Sequence, residues 1–167
     1  MSEVEGFGVD TVEEALATYV TGLPKYSPRS RVSPGTLHGG FFSDRMLVVN
    51  VIRQGVPHAL FMSVKELAPF SDQDWSDFLD ISIKSLQRYK GDPEHVFKSI
   101  HSEKIIELAE VTSVGQEIFG SNEKFATWLN TPSHALGEMK PMELLNDSYG
   151  KELVLNELYR IDQGIFV

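Results

Sequence analysis

Helix boundaries recur at short intervals from Ser43 onward, and they shape everything this chain can fold into. Ser43-Asp44, Ser71 with Asp74 three residues on, Ser82, Ser121 and Asp147-Ser148 are residue types that cap helix starts. Gly55, Gly91, Gly120 and Gly164 are residue types that end helices. Between these signals apolar residues return every three or four positions, the period of a helix face, instead of alternating as in a strand. The valines at 48, 49 and 51 fit a strand as well as a helix; their neighbours favour helix. The predicted fold class is all-α.

The periodicity also names expected inward faces. Met46, Val49 and Ile52 belong to the first of these helices, and Leu60, Phe61, Val64 and Leu67 to a second that runs from about Pro57 to Ala68. Trp75, Phe78 and Leu79 face inward on a short helix, and Ile83 and Leu86 on the next. Asp92-Pro93 then opens the longest helix, about Glu94 to Phe119, with Phe97, Ile100, Ile105, Leu108, Val111, Val114 and Ile118 on its apolar face. Gly115 weakens that run. Ser121 to Leu129, Pro141 to Leu145 and a last helix carrying Leu153, Val154, Leu158 and Ile161 complete the pattern.

Residues 1–42 read differently. A short helix fits Asp10 to Val20, with Val9, Val12, Leu16, Tyr19 and Val20 on one face. The stretch that follows, rich in Pro, Gly and Ser, has the composition of an irregular arm, and Lys25, Arg29 and Arg31 make it mildly basic. The expected organisation is an arm over 1–42, a helical region over 43–93, a long connecting helix over 94–119, and a helical region over 120–167.

Composition excludes several function classes. The chain has 167 residues and no cysteine, so disulfides and cysteine-ligated metal sites are out. A net charge of −9 means that any nucleic-acid contact must rest on a local basic patch. No apolar run approaches the roughly 20 residues that span a bilayer, and MSEVEGFG does not read as a leader, so the chain is expected to be cytoplasmic with no membrane contact.

Catalytic chemistry finds no foothold. His38, His58, His95, His101 and His134 fall in no metal-ligand spacing and read as scattered surface or half-buried histidines. Gly6-Phe7-Gly8 is too short for a phosphate loop. No nucleophile sits beside a base, and no catalytic residue, metal or cofactor is expected. A small helical enzyme is therefore disfavoured.

One local pattern does carry chemistry. Two short helices joined at Asp80-Ile81 have the layout of a helix-turn-helix. Away from Ile83 and Leu86, the second helix offers Ser82, Lys84, Ser85, Gln87, Arg88 and Lys90, side chains able to reach base edges or phosphates. Against this stand Asp72, Asp74, Asp77 and Asp80 on the preceding helix, which would repel a phosphate backbone unless they face elsewhere. The residues alone fit a DNA-reading pair and a packing pair equally well.

From about Ser43 to Val167 the chain resembles the Xre/MbcA/ParS-type antitoxins, partners of RES-domain toxins. The residues that carry this are C-terminal and in order. They are Phe119-Gly120, Trp128-Leu129, Thr131-Pro132, Ala135-Leu136-Gly137, Pro141, Leu144-Leu145, Gly150, Leu158, Arg160-Ile161 and Gly164-Ile165-Phe166. The helix-turn-helix stretch LDISIKSLQRYK resembles the family's DNA-binding segment more weakly.

The resemblance implies an Xre-like helix-turn-helix region followed by a small helical toxin-binding domain. In that domain Trp128, Leu129, Pro132, Leu136, Leu144, Leu145 and Leu158 would be core, with the last helix brought back over Trp128. Arg160, Asp162, Gln163, Gly164, Ile165, Phe166 and Val167 would cover the active-site entrance of an NAD-consuming RES-domain toxin. The alternative for this tail is that it folds back on its own domain. The resemblance further implies a homodimer that binds the operator DNA of its own operon as a repressor. A stand-alone transcriptional regulator without a toxin is the rival reading.

Overall fold

A computed structural model describes residues 11–22 and 40–164. Among them the chain forms nine α-helices and two short 3-10 turns, with isolated β-bridges and no strand. The order is α1 (Val12–Thr21), α2 (Arg45–Gln54), α3 (His58–Leu67), α4 (Asp72–Leu79), α5 (Ile83–Lys90), α6 (Ser99–Phe119), α7 (Asn122–Leu129), α8 (Pro141–Leu144) and α9 (Ser148–Asp162). The 3-10 turns are Phe41–Ser43 and His134–Leu136. The all-α class is as the sequence indicates.

Helix α6 is the axis of the molecule. Helices α1, α2, α3 and α4 pack against it from one half of the chain, and α7 and α9 from the other. Helix α5 reaches the body through α3 and α4, and α8 through α7 and α9. One continuous hydrophobic core therefore runs from Val12 to Leu158. Its largest fully buried side chains include Phe41, Phe61, Trp75, Phe97 and Phe125. Helix α1 joins this core through Val12, Leu16 and Val20, so part of the segment expected as an arm is an integral helix. Val9, Lys25, Arg29, Arg31 and His38 lie outside the described residues.

The capping residues act as expected. Asp44 accepts from the Leu47 N–H, Ser71 from Asp74, Ser82 from Ser85, Ser121 from Lys124 and Asp147 from Gly150. Gly120 ends α6 in the left-handed conformation at φ +69°.

Several apolar faces differ from expectation. Helix α2 buries Leu47 and Val51 and leaves Met46 67% exposed, one step out of the expected phase. Its sequence is apolar on nearly all sides, so periodicity alone cannot choose the face; packing on α6 chooses it. Ile83, Ile100 and Leu153 also point outward.

The longest helix starts at Ser99, not near Glu94. The backbone of 95–97 is claimed by the α2–α3 link: His58 N–H donates to His95 O and Phe97 N–H to Val56 O, both at 2.9 Å. Ser102 clamps the same crossing, accepting from Val56 N–H at 2.8 Å and donating to Phe97 O at 3.1 Å. Gly55 turns the chain there at φ +89°, and a Cβ on it would lie 2.5 Å from Phe97 O.

Candidate functional sites

The pair α4–α5 is built by local chemistry. Ser71 and Asp74 form a reciprocal capping box at the start of α4. Asp80 takes the left-handed conformation at φ +52°, a residue type that tolerates it, and lets the chain reverse in three residues to the Ser82 cap. Ser76 Oγ, on the buried side of α4, donates to Ile81 O at 2.5 Å and holds the turn down. Trp75, Phe78, Leu79 and Leu86 fill the interior, with Trp75 edge-on to both Phe61 and Phe70.

The electrostatics of this pair centre on Asp72. Its carboxylate is 2.5 Å from Lys65 Nζ on α3 and 3.1 Å from Lys90 Nζ on α5, and it accepts from Gln87 Nε2 at 2.9 Å. The Lys65 and Lys90 ammonium groups hold its pKa down at about 2. The carboxylate expected to repel phosphate is thus engaged by two lysines of the protein's own surface. Asp74 is engaged at the helix cap and Asp77 accepts from Gln73.

The same network sorts the six candidate DNA readers. Gln87 and Lys90 are tied to Asp72, and the Ser82 and Ser85 hydroxyls contact each other at the cap. Lys84 and Arg88 stand exposed one turn apart on the outer face, and Arg88 lies over the Tyr89 ring at 5.2 Å.

Three histidines gather behind α5, where the sequence suggested scatter. His58 Nε2 meets Lys90 O at 2.7 Å, closing the end of α5. His95 stacks on Tyr89 with centroids 3.9 Å apart and stands edge-on to Phe97, which also faces His101. Burial pushes the pKa of His95 and of His101 below the ordinary histidine value. Among the described residues no three His, Asp or Glu side chains are grouped to hold a metal ion. No helix among them is long and apolar enough to cross a membrane.

The C-terminal segment is organised by close approach. Gly115 lies against the Phe125 ring, where a Cβ would come within 2.3 Å, so the glycine that weakens the helix pattern is what lets α7 dock on α6. Phe119, Phe125 and Trp128 form a ladder of rings with centroids 5.8 to 6.3 Å apart. Gly150 sits flush on the end of α8: a Cβ there would be 1.9 Å from Leu144 O.

Polar groups bind α9 and the α8–α9 link to α6. Lys104 Nζ donates to Leu145 O at 3.0 Å and to Asn146 O at 3.3 Å, while Ser148 Oγ donates to Glu107 at 2.9 Å. Lys151 and Glu110, each only 7% exposed, pair at 3.4 Å across the α6–α9 contact. Arg45 of α2 approaches the same Glu110 oxygen at 3.9 Å.

Of the seven residues expected as the core of this segment, Leu129, Leu145 and Leu158 are fully buried. Trp128, Leu136 and Leu144 are half-buried, and Pro132 is exposed. The loop 130–140 is held by its own backbone: Ser133 N–H donates to Met139 O and Glu138 N–H to Ser133 O. The main packing of α9 is on α6.

Arg160 is half-buried and pairs with Glu157 at 3.4 Å; Asp162, Gln163 and Gly164 are exposed. Ile165, Phe166 and Val167 lie outside the described residues. Tyr149 and Leu153, one turn apart on the outer side of α9, are 89% and 52% exposed. The sequence reading missed this face because it counted Leu153 as inward and gave Tyr149 no role.

Residues 114–164 match the family described as the antitoxin Xre/MbcA/ParS C-terminal toxin-binding domain. The chain is also similar to the protein named Antitoxin Xre from Photorhabdus laumondii subsp. laumondii, at 25% identity over 116 residues. That alignment covers 69% of this chain and 78% of the relative. Both findings bear out the resemblance to Xre/MbcA/ParS-type antitoxins, and they point to a non-enzymatic regulatory protein.

Proposed function

We propose that this chain is the antitoxin of a toxin–antitoxin pair and neutralises a RES-domain, NAD-consuming toxin by direct binding. The observation that carries the reading is the match of residues 114–164 to a toxin-binding domain, on a segment built around α7, α8 and α9. In this reading residues 43–93 read DNA, α6 connects, and residues 120–167 dock the toxin. Arg160, Asp162, Gln163 and Gly164 lead the chain end toward the toxin's active-site entrance. The apolar residues Ile165, Phe166 and Val167 supply the plug for a pocket shaped for a cofactor.

The same protein represses its own operon as a cytoplasmic homodimer, with α5 in the major groove. Lys84 and Arg88 are its principal readers, because Gln87 and Lys90 are committed to Asp72. The engagement of Asp72 by two lysines supports this, since it removes the strongest local objection to a phosphate backbone nearby.

The test is co-purification of the full chain with the product of its adjacent gene, followed by an NAD-consumption assay on the complex and on the freed partner. An inactive complex whose freed partner destroys NAD is the expected result. A chain ending at Tyr159 should still bind operator DNA and fail to block NAD consumption; full neutralisation by that chain would refute the plug. Operator binding with no toxin partner would leave the stand-alone regulator.

A further inference from the structure

We infer that the outward face of α9, centred on Tyr149 and Leu153, is the apolar anchor that seats the toxin, distinct from the chain end that blocks it. This rests on the antitoxin reading above and adds to it the surface that supplies affinity.

Helix α9 is apolar on two sides. Its inner side buries Val154, Leu155 and Leu158 in the common core. Its outer side carries Tyr149 and Leu153 at i and i+4, adjacent on a helix surface. A tyrosine that is 89% exposed beside a leucine that is 52% exposed contributes nothing to the core. Aromatic and aliphatic side chains grouped in this way, with a polar surround, are what an interface hot spot consists of. The stripe continues by helical spacing through Asn156 to Arg160, so a partner seated on it is led to the chain end.

The face is also pre-organised. Gly150 presses the first turn of α9 onto Leu144 O, the Asp147 side chain caps it at 2.7 Å, and the buried Lys151–Glu110 pair fixes its register on α6. Tyr149 flanks this rigid turn, so little ordering is needed on binding.

Charge identifies the occupant. Residues 114–164 hold eight acidic and four basic residues. Of the basic ones near this face, Lys151 is buried in its ion pair and Arg160 is paired with Glu157. The ionic groups left exposed beside Tyr149 and Leu153 are Asp147 and Glu152. A second copy of this chain would bring the same acidic rim against itself across a two-fold axis, which is repulsive. The fitting partner is a toxin surface with an apolar pocket bordered by Lys or Arg side chains.

The experiment compares the full chain with two double variants, Tyr149→Ser/Leu153→Ser and Tyr149→Phe/Leu153→Met. Each is measured by calorimetry against the purified toxin from the adjacent gene. Thermal melting and sedimentation of each chain alone run beside it. The serine variant is expected to lose at least about 100-fold in affinity, and the conservative variant to stay within about threefold of the unaltered chain, with melting and mass of both unchanged. Equal affinity of the serine variant overturns the anchor and leaves the antitoxin reading intact. No binding by the unaltered chain overturns that reading and this inference with it. A drop of several degrees in melting, or a change in mass, would assign the face to the chain's own fold or to a second copy, and would equally overturn it.

Discussion

The pair α4–α5 and the segment α7–α9 both rest on the same long helix, the first through α4 and the second through α7 and α9, yet they are held by different kinds of interaction. In α4–α5 the decisive contacts lie within a few residues of one another: the Ser71–Asp74 box, the Ser82 cap and the Ser76 bond to Ile81. Its longer-range ion network, Asp72 with Lys65 and Lys90, lies at the surface. In α7–α9 the decisive contacts cross between elements: Gly115 under Phe125, Gly150 on Leu144, and Lys151 with Glu110 across 41 residues. Local contacts are individually modest, and losing one weakens a helix end. Close backbone approaches and buried pairs are steep, and losing one displaces a helix.

That contrast can be tested where it should be largest. Gly150→Ala places a methyl against the Leu144 carbonyl, which α9 can relieve only by moving off α8. We expect a loss of about 3 kcal/mol or more in urea unfolding and a collapse of toxin binding, with operator binding retained. A neutral result would show that α8 yields and that the approach is not what places α9.

The next step down is Glu110→Ala, which takes away the buried partner of Lys151 and leaves it only the exposed Glu152 at 3.5 Å. A cost of about 3 kcal/mol is expected, and the double variant Glu110→Leu/Lys151→Met should recover most of it. If the double variant is as unstable as the single one, the pair contributes more than the burial penalty it relieves.

On the α4–α5 side the effect is pH-dependent. Asp72 is held at about 2 by its lysines, so its contribution is fully present above the ordinary aspartate value near 4. It should fade as pH falls toward 2. Asp72→Asn should lower the melting temperature at pH 7 and flatten the acid limb between about pH 4 and 2. An unchanged acid limb would show that the network is idle.

The smallest expected change in stability is from Lys84→Ala/Arg88→Ala. Both side chains are exposed, so unfolding free energy should move by less than about 0.5 kcal/mol. Operator affinity should nevertheless fall at least about tenfold, with a shallower salt dependence in gel-shift titrations. Unchanged affinity would remove α5 as the reader.

Legibility in the sequence follows the same division. Ser71, Ser82, Ser121, Asp147 and Gly120 declared helix ends correctly because capping is a bond between near neighbours. The ordered residues from Phe119 to Gly164 carried the resemblance now matched over 114–164. The face of α2, the extended run before Ser99 and the outward turn of Ile100 and Leu153 were not readable, because each was decided by a distant partner. Asp72 looked like an obstacle to DNA until Lys65 and Lys90 were seen to surround it.

The sequence by itself determined the all-α class seen in the described residues and where most of their helices begin and end, since those choices rest on dihedral preferences and hydrogen bonds only a few residues long. Only the tertiary structure decided which apolar side of each helix is core and which is left exposed. A helix such as α9, apolar on two sides, carries no local signal to tell them apart, and the choice is made by α6, to which Gly150 and Lys151 hold it.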